Sequence, residues 1–183
     1  MTKRHLDMIK AVEFSNNNSK LLHKNELEDG FTYFGIYEKA HPNWMGWFII
    51  KRYLKNIPNI RACSSVLANV SDLNELVIKF YKDEFFDRLK LDLVNSERKQ
   101  LEVLCFAMNV GIKPAVKVIQ KLLGVKQDGI IGIITIAHLN AYNEELFDKL
   151  FDEKEIEFYE DLVINKPRFK RYINGWINRA NYI

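Results

Sequence analysis

Cysteine, proline and glycine are scarce in this chain, with two, four and eight residues respectively among 183. The two thiols, Cys63 and Cys105, lie far apart and lack Cys-x-x-Cys spacing, so the pattern predicts reduced thiols, with neither a disulfide framework nor a metal knuckle. The chain also has no H-E-x-x-H zinc helix, G-x-x-x-x-G-K phosphate loop, G-x-G-x-x-G dinucleotide turn or G-x-S-x-G nucleophile elbow. These absences disfavour most cofactor enzymes. The four histidines (His5, His23, His41, His138) are scattered without the spacing of metal ligands, so no metal and no cofactor is expected. The most apolar run, Ile130 to Ala137, is far shorter than the roughly 20 residues that span a bilayer, and no transmembrane segment is expected. Residues 1–14 hold basic side chains but not the continuous apolar stretch of roughly 7–15 residues that a secretory signal needs. Synthesis in the cytoplasm without a signal peptide is the expectation.

Hydrophobic residues make up 48 % of the chain and aromatics 13 %, which argues for a folded core over disorder. The formal net charge of +3 is too small to imply nucleic acid, and none is expected as a partner. The charge is unevenly spread. Residues 144–161 carry nine acidic and two basic side chains, and residues 164–183 carry five basic ones (Lys166, Arg168, Lys170, Arg171, Arg179) and no acidic one. Two solvated faces explain this pattern, as does attraction of the tail to a polyanionic cell envelope.

Hydrophobic periodicity predicts mainly helix. Leu6, Ile9 and Val12 recur at intervals of three and bring Glu13 to a helix end. Residues 16–30 are polar and Asn-rich, which favours loop, and the aromatic, β-branched stretch Phe31 to Glu38 predicts a short strand or hairpin arm. Helices are expected from Trp44 to Tyr53, from Ser71 to about Leu93, and from a Ser96 cap to Asn109 and Gly111. A short helix follows, with Pro114 at its first position and Gly124 just past its end. Asp128 to Gly132 reads as a turn, a helix starts near Thr135, and two closing helices occupy 144–164 and the segment after Pro167. The expected organisation is a region of residues 1–95 with a small β wing, and a helical region of residues 96–183 packed on it.

One arrangement suits chemistry without a cofactor. Glu13 at a helix end is followed by a loop with Glu26, Glu28 and Asp29, and then by Thr32. Glycoside hydrolysis needs one protonated carboxyl to protonate the departing oxygen and a second polar group to position water or stabilise the oxocarbenium-like sugar. Val12 and Phe14 beside Glu13 favour the protonated form by partial burial. Tyr33, Phe34, Tyr37, Trp44 and Trp47 suit either a core or a sugar cleft lined by stacking rings. Gly35 and Gly132 suit turns or close packing.

Across nearly its whole length the sequence resembles the N-acetylmuramidases of glycoside hydrolase family 108, once described as secretion activator proteins. The family carries a helix ending in Glu-Gly-Gly, a polar loop, and a Thr-Asn-Tyr-Gly-Ile stretch; here stand Glu13-Phe14-Ser15, the loop, and Thr32-Tyr33-Phe34-Gly35-Ile36. Residues 109–135 are similar to the family's predicted peptidoglycan-binding region through Asn109, Gly111, Ala115, Gln120, Leu123, Gly124, Asp128, Gly129, Gly132 and Thr135. Gly175, Trp176, Asn178 and Arg179 match its closing segment. Phe14 and Ser15 replace both family glycines, the loop lacks the family's Asp-Pro-Gly-Gly, and Cys105 stands where the family has Asp.

The resemblance implies a lysozyme-like fold, a helical lobe with a short β wing flanking the substrate cleft. It implies hydrolysis of the β-1,4 bond between N-acetylmuramic acid and N-acetylglucosamine in peptidoglycan glycan strands. Glu13 would be the general acid, and Glu28 or its neighbour Glu26, with Thr32, would orient water. Tyr33, Gly35, Tyr37, Asn109 and Trp176 would contact substrate, with Trp176 alternatively a core anchor. Such an enzyme would be made in the bacterial cytoplasm and reach the wall by holin-like export or lysis. Two rivals remain: a non-catalytic peptidoglycan-binding or secretion-assisting protein with a degenerate site, and an amidase or peptidase using Cys63 or Cys105 as nucleophile.

Overall fold

The computed structural model describes residues 1–24 and 29–182. It is mainly helical, with a small three-stranded antiparallel sheet whose strands neighbour one another in sequence order. The chain divides into two compact units, residues 1–82 and residues 83–183. No described helix is long and apolar enough to cross a membrane.

The first unit opens with α1 (Lys3–Phe14), entered from Thr2, whose hydroxyl bonds the His5 ring at 2.9 Å. Leu6 and Ile9 are buried on this helix as their spacing predicts. The sheet consists of β1 (Leu22–His23), β2 (Thr32–Tyr33) and β3 (Ile36–Tyr37), with Thr32 opposite His23 and Tyr37. Phe34 and Gly35 form the two-residue turn between β2 and β3, at φ 52° and 82°. Left-handed values at both central residues are what a type I′ hairpin requires, because this turn matches the strand twist. The expected hairpin is therefore present. β1, in contrast, lies in the stretch expected to be loop. Tertiary contacts hold it there: Leu22 N–H donates to the buried Ser64 hydroxyl at 2.9 Å, which donates to Asn18 C=O at 2.5 Å.

Helices α2 (Gly46–Asn56), α3 (Ile60–Leu67) and α4 (Ser71–Tyr81) complete this unit. Sequence patterning gave no expectation for α3, a helix of eight residues capped by the Asn59 side chain on Ala62 N–H. The single helix expected from Ser71 to about Leu93 needs correction. α4 stops at Tyr81, a wider helical turn spans Lys82–Phe86, and Lys90 at φ 52° redirects the chain before a short 3-10 turn at Leu91–Leu93. Phe86, Leu89, Leu91 and Val94 are all buried, so apolar spacing continues through the break and conceals it.

In the second unit, α5 (Glu97–Val110) starts at Ser96, whose hydroxyl accepts from Lys99 N–H at 3.1 Å as the sequence predicts. α6 (Ile112–Leu122) begins two residues before Pro114, correcting the expected start. Proline is tolerated at this third position because N–H groups of a first helical turn have no intrahelical partner. Gly124, at φ 67°, ends α6 in a Schellman motif: Gly124 N–H reaches Lys121 C=O and Val125 N–H reaches Gln120 C=O. α7 (Ile133–Ala141), α8 (Glu144–Asn165), a 3-10 turn at Pro167–Tyr172 and α9 (Ile173–Ala180) follow. Phe106 of α5 anchors the core, its ring edge-on to Phe151, Phe158 and Tyr159 of α8 at 5.6–5.9 Å.

Candidate functional site

Glu13 occupies the last turn of α1 and is half-buried. The helix ends through Ser15, left-handed at φ 50°, whose N–H returns to Ala11 C=O at 3.0 Å. The first position at which the resembled family has glycine, Phe14, is helical here, so a side chain there costs no backbone strain. The second, Ser15, does need the conformation glycine favours, at a cost of roughly 1–2 kcal/mol for an L-residue. Phe14 has its own use. Its ring packs on Phe34 at 5.2 Å, joining the Glu13 end of α1 to the hairpin tip.

The hairpin is fixed from beneath. Tyr81 of α4 donates its hydroxyl hydrogen to Phe34 C=O at 2.5 Å, and a Cβ on Gly35 would lie 2.8 Å from that hydroxyl. Thr32 is buried on the central strand and Tyr37 is half-buried on β3. Tyr33 is fully buried, stacked near Trp44 with centroids 6.4 Å apart, so its ring fills the core and offers no face to solvent. Burial, with a contribution from nearby Cys63, raises the Tyr33 phenol well above its ordinary value. Burial also pushes Glu38 up, but bonds from Lys51 (2.6 Å) and Phe31 N–H (3.0 Å) outweigh it and hold this carboxyl below the usual range. Glu26 and Glu28 lie outside the described residues.

In the same unit, Lys3, Asp7 and Lys10 of α1, with Phe34 and Asn74 and Glu75 of α4, wall a cleft of about 560 Å³. Among the described residues Glu13 is not on its wall. Cys63 is buried and burial raises its thiol pKa, which disfavours the thiolate that a cysteine nucleophile needs.

In the second unit the motif residues assemble one turn. The Gln120 side chain donates to Asp128 Oδ1 (2.9 Å) and Ile130 C=O (3.1 Å), and reaches Thr135 Oγ1 at 3.4 Å. Its carbonyl accepts from Gly129 N–H at 2.9 Å. Gln120, Asp128, Gly129 and Thr135 are thus a single lock on the loop between α6 and α7, a scaffold reason for that motif. Asn109 is exposed at the end of α5, its side chain donating to Cys105 C=O. Trp176 is half-buried, stacked on Tyr159 at 5.0 Å and flanked by Phe169 and Tyr172. It anchors α9 to α8.

Residues 114–181 match the family model of the Predicted Peptidoglycan domain. The segment so matched begins in α6, contains the Gln120 lock and ends after α9. Among solved structures, the chain shares its fold with SagA of Brucella abortus, at a TM-score of 0.60 and 19 % identity over 97 % of this chain and 94 % of that one. No curated protein matches the sequence.

Sequence reasoning missed two features of the second unit. Glu102 of α5 is a buried acid facing the carboxylates of α8, and nothing in its spacing distinguishes it from a surface residue. Lys113, Lys117 and Lys121 form a stripe on α6, which their spacing of four does reveal in the sequence.

Proposed function

We propose that this chain is a peptidoglycan muramidase that hydrolyses the β-1,4 bond between N-acetylmuramic acid and N-acetylglucosamine. The observation that carries the reading is a junction: the Glu13 end of α1 is joined to the Thr32–Tyr37 hairpin through Phe14 and Phe34, in a chain whose C-terminal segment matches a Predicted Peptidoglycan domain. In the proposed reaction Glu13 protonates the leaving oxygen. Glu28, with the Thr32 hydroxyl, orients water on the opposite sugar face in a single displacement, which needs roughly 6.5–9.5 Å between the two carboxyls. Tyr37 is the hairpin ring with a partly exposed face for substrate. The enzyme acts on the wall after holin-like export or on lysis.

Incubating the chain with purified sacculi and identifying the released ends by mass tests the reading. New reducing muramic acid ends are expected, and Glu13→Gln lowers their release by on the order of 100-fold or more while the fold is kept. Turnover by Glu13→Gln within threefold of the parent removes Glu13 as the acid. The second reading is a wall-binding protein without turnover, favoured by Phe14 and Ser15 at the family's glycine positions; sacculi bound and left intact would establish it.

A further inference from the structure

α6 carries its three lysines on one stripe, because residues four apart on a helix are neighbours about 6 Å apart along the axis. This stripe borders a groove of about 350 Å³ whose apolar wall is Pro114, Val118 and Phe158. Lys121 is paired with Glu157 at 3.4 Å. Lys113 and Lys117 have no ion pair among the described residues. A second pocket of about 570 Å³ shares Lys113 and Pro114 with the first and continues past Gly111 and Gly129 to Arg88.

The lysine stems are supported from below. A Cβ on Gly129 would lie 2.8 Å from Lys113 Cγ and 3.4 Å from Lys117 Cγ, so the turn locked by Gln120 packs directly on both stems. Their aliphatic parts are thereby ordered and their ammonium groups left for a partner, which lowers the entropy lost on binding.

We propose that this α6 groove binds a carboxylate-bearing glycan strand, with Lys113 and Lys117 meeting the carboxylates and Pro114, Val118 and Phe158 supporting the sugar rings. The inference rests on the reading of the chain as peptidoglycan-acting and names the place and charge of the contact. A wall of apolar groups with a few directed charges is the composition of a small-ligand site. Lysine is a compact point charge on a flexible stem, so a row of lysines suits anionic groups spaced along a polymer, and in the peptidoglycan of the proposed reading those groups are carboxylates.

The test uses the full chain carrying Glu13→Gln, so that binding is read without hydrolysis. Purified sacculi are the polymeric probe, and N-acetylmuramic acid and N-acetylglucosamine are the soluble probes, titrated by NMR. We expect K113Q/K117Q to weaken sacculus binding at least tenfold, and shifts at α6 to respond to the acidic sugar and not to the neutral one. Circular dichroism should be unchanged, since both lysines are exposed. Sacculus affinity within twofold of the parent overturns the proposal. So does an equal response to the two sugars, or displacement of sacculi by a single-stranded oligonucleotide at lower concentration than by soluble glycan. The muramidase reading is judged on the unsubstituted chain alone: absent turnover with intact groove binding sinks that reading and keeps this one, and the converse result does the reverse.

Discussion

At Gly35 two independent constraints coincide: the left-handed turn of the hairpin and the Tyr81 hydroxyl 2.8 Å from where a Cβ would sit. Gly35→Ala should therefore destabilise the first unit by roughly 1–3 kcal/mol, read as a lowered urea midpoint. A change within a few tenths of a kcal/mol would show that the hairpin adjusts without strain. Lys99 is a second residue with a defined task. It is buried in the second unit, and its ammonium donates to Leu139 C=O (2.7 Å) and Tyr142 C=O (2.5 Å), carbonyls at the end of α7 that have no helical partner. Lys99→Met, similar in volume, leaves both carbonyls unsatisfied and should cost roughly 1–3 kcal/mol for each group left buried. On the proposed reaction, Glu28→Gln should lower release of muramic acid ends sharply while Glu26→Gln stays near the parent, and the reverse pattern would transfer the proposed water-orienting role to Glu26.

Between α5 and α8 the packing sets carboxyl against carboxyl. Burial, then a hydrogen bond with Asp148 and the nearby charges of Asp152 and Glu155, push Glu102 from 4.5 up to about 10. Burial and Asp148 push Asp152 from 3.8 to about 6, with Arg98 opposing, and burial raises Glu155 as well. At neutral pH Glu102 is thus protonated in the folded unit and donates its hydrogen bond to Asp148, which is paired with Arg98 at 2.6 Å. Each of these acids has a folded value above its unfolded one. The unfolded chain therefore binds fewer protons between the two values, and stability falls as pH rises through that interval. The contribution of these groups to the stability of the second unit is expected to be fully present below about pH 4 and to decline progressively toward about pH 10. Glu102→Gln, which keeps a donor and removes the titration, should flatten the dependence of the urea midpoint on pH. A steep decline preserved in that variant would assign it to other groups.

Charge is segregated over the second unit. The acidic side chains of residues 144–161 lie on α8, and the exposed cations Lys166, Arg168, Lys170 and Arg171 fall in and beside the 3-10 turn. Arg168 and Arg171 rest over the Phe169 and Tyr172 rings at 4.9 and 4.7 Å. Reversing charge at Lys166, Arg168 and Lys170 should weaken sacculus pull-down at low salt and matter little at high salt, because exposed charges are screened beyond about 10 Å at 0.1 M. Salt-independent binding would remove the tail from the electrostatic account.

Local chemistry is legible without coordinates. The Ser96 cap, the Gly124 stop, the Phe34-Gly35 turn and the periodicity of α1 each depend on residues within a few positions of one another, so α1, α5, the end of α6 and the hairpin could be placed from the sequence. Only the tertiary structure decided the rest. β1 exists because Ser64, 42 residues away, offers its hydroxyl to Leu22 N–H, and two-residue strands have no periodicity to read. α4 ends at Tyr81 because the backbone turns at Lys82–Phe86, although the buried side chains keep their spacing through it. Tyr33 and Tyr37 are two residues of one hairpin with the same chemistry, and packing alone buries the first against Trp44 and leaves the second partly open. A sequence shows which groups are present and their spacing along the chain. Which of them lose water, share a proton or face a groove depends on contacts between distant segments, and those are made only when the core closes.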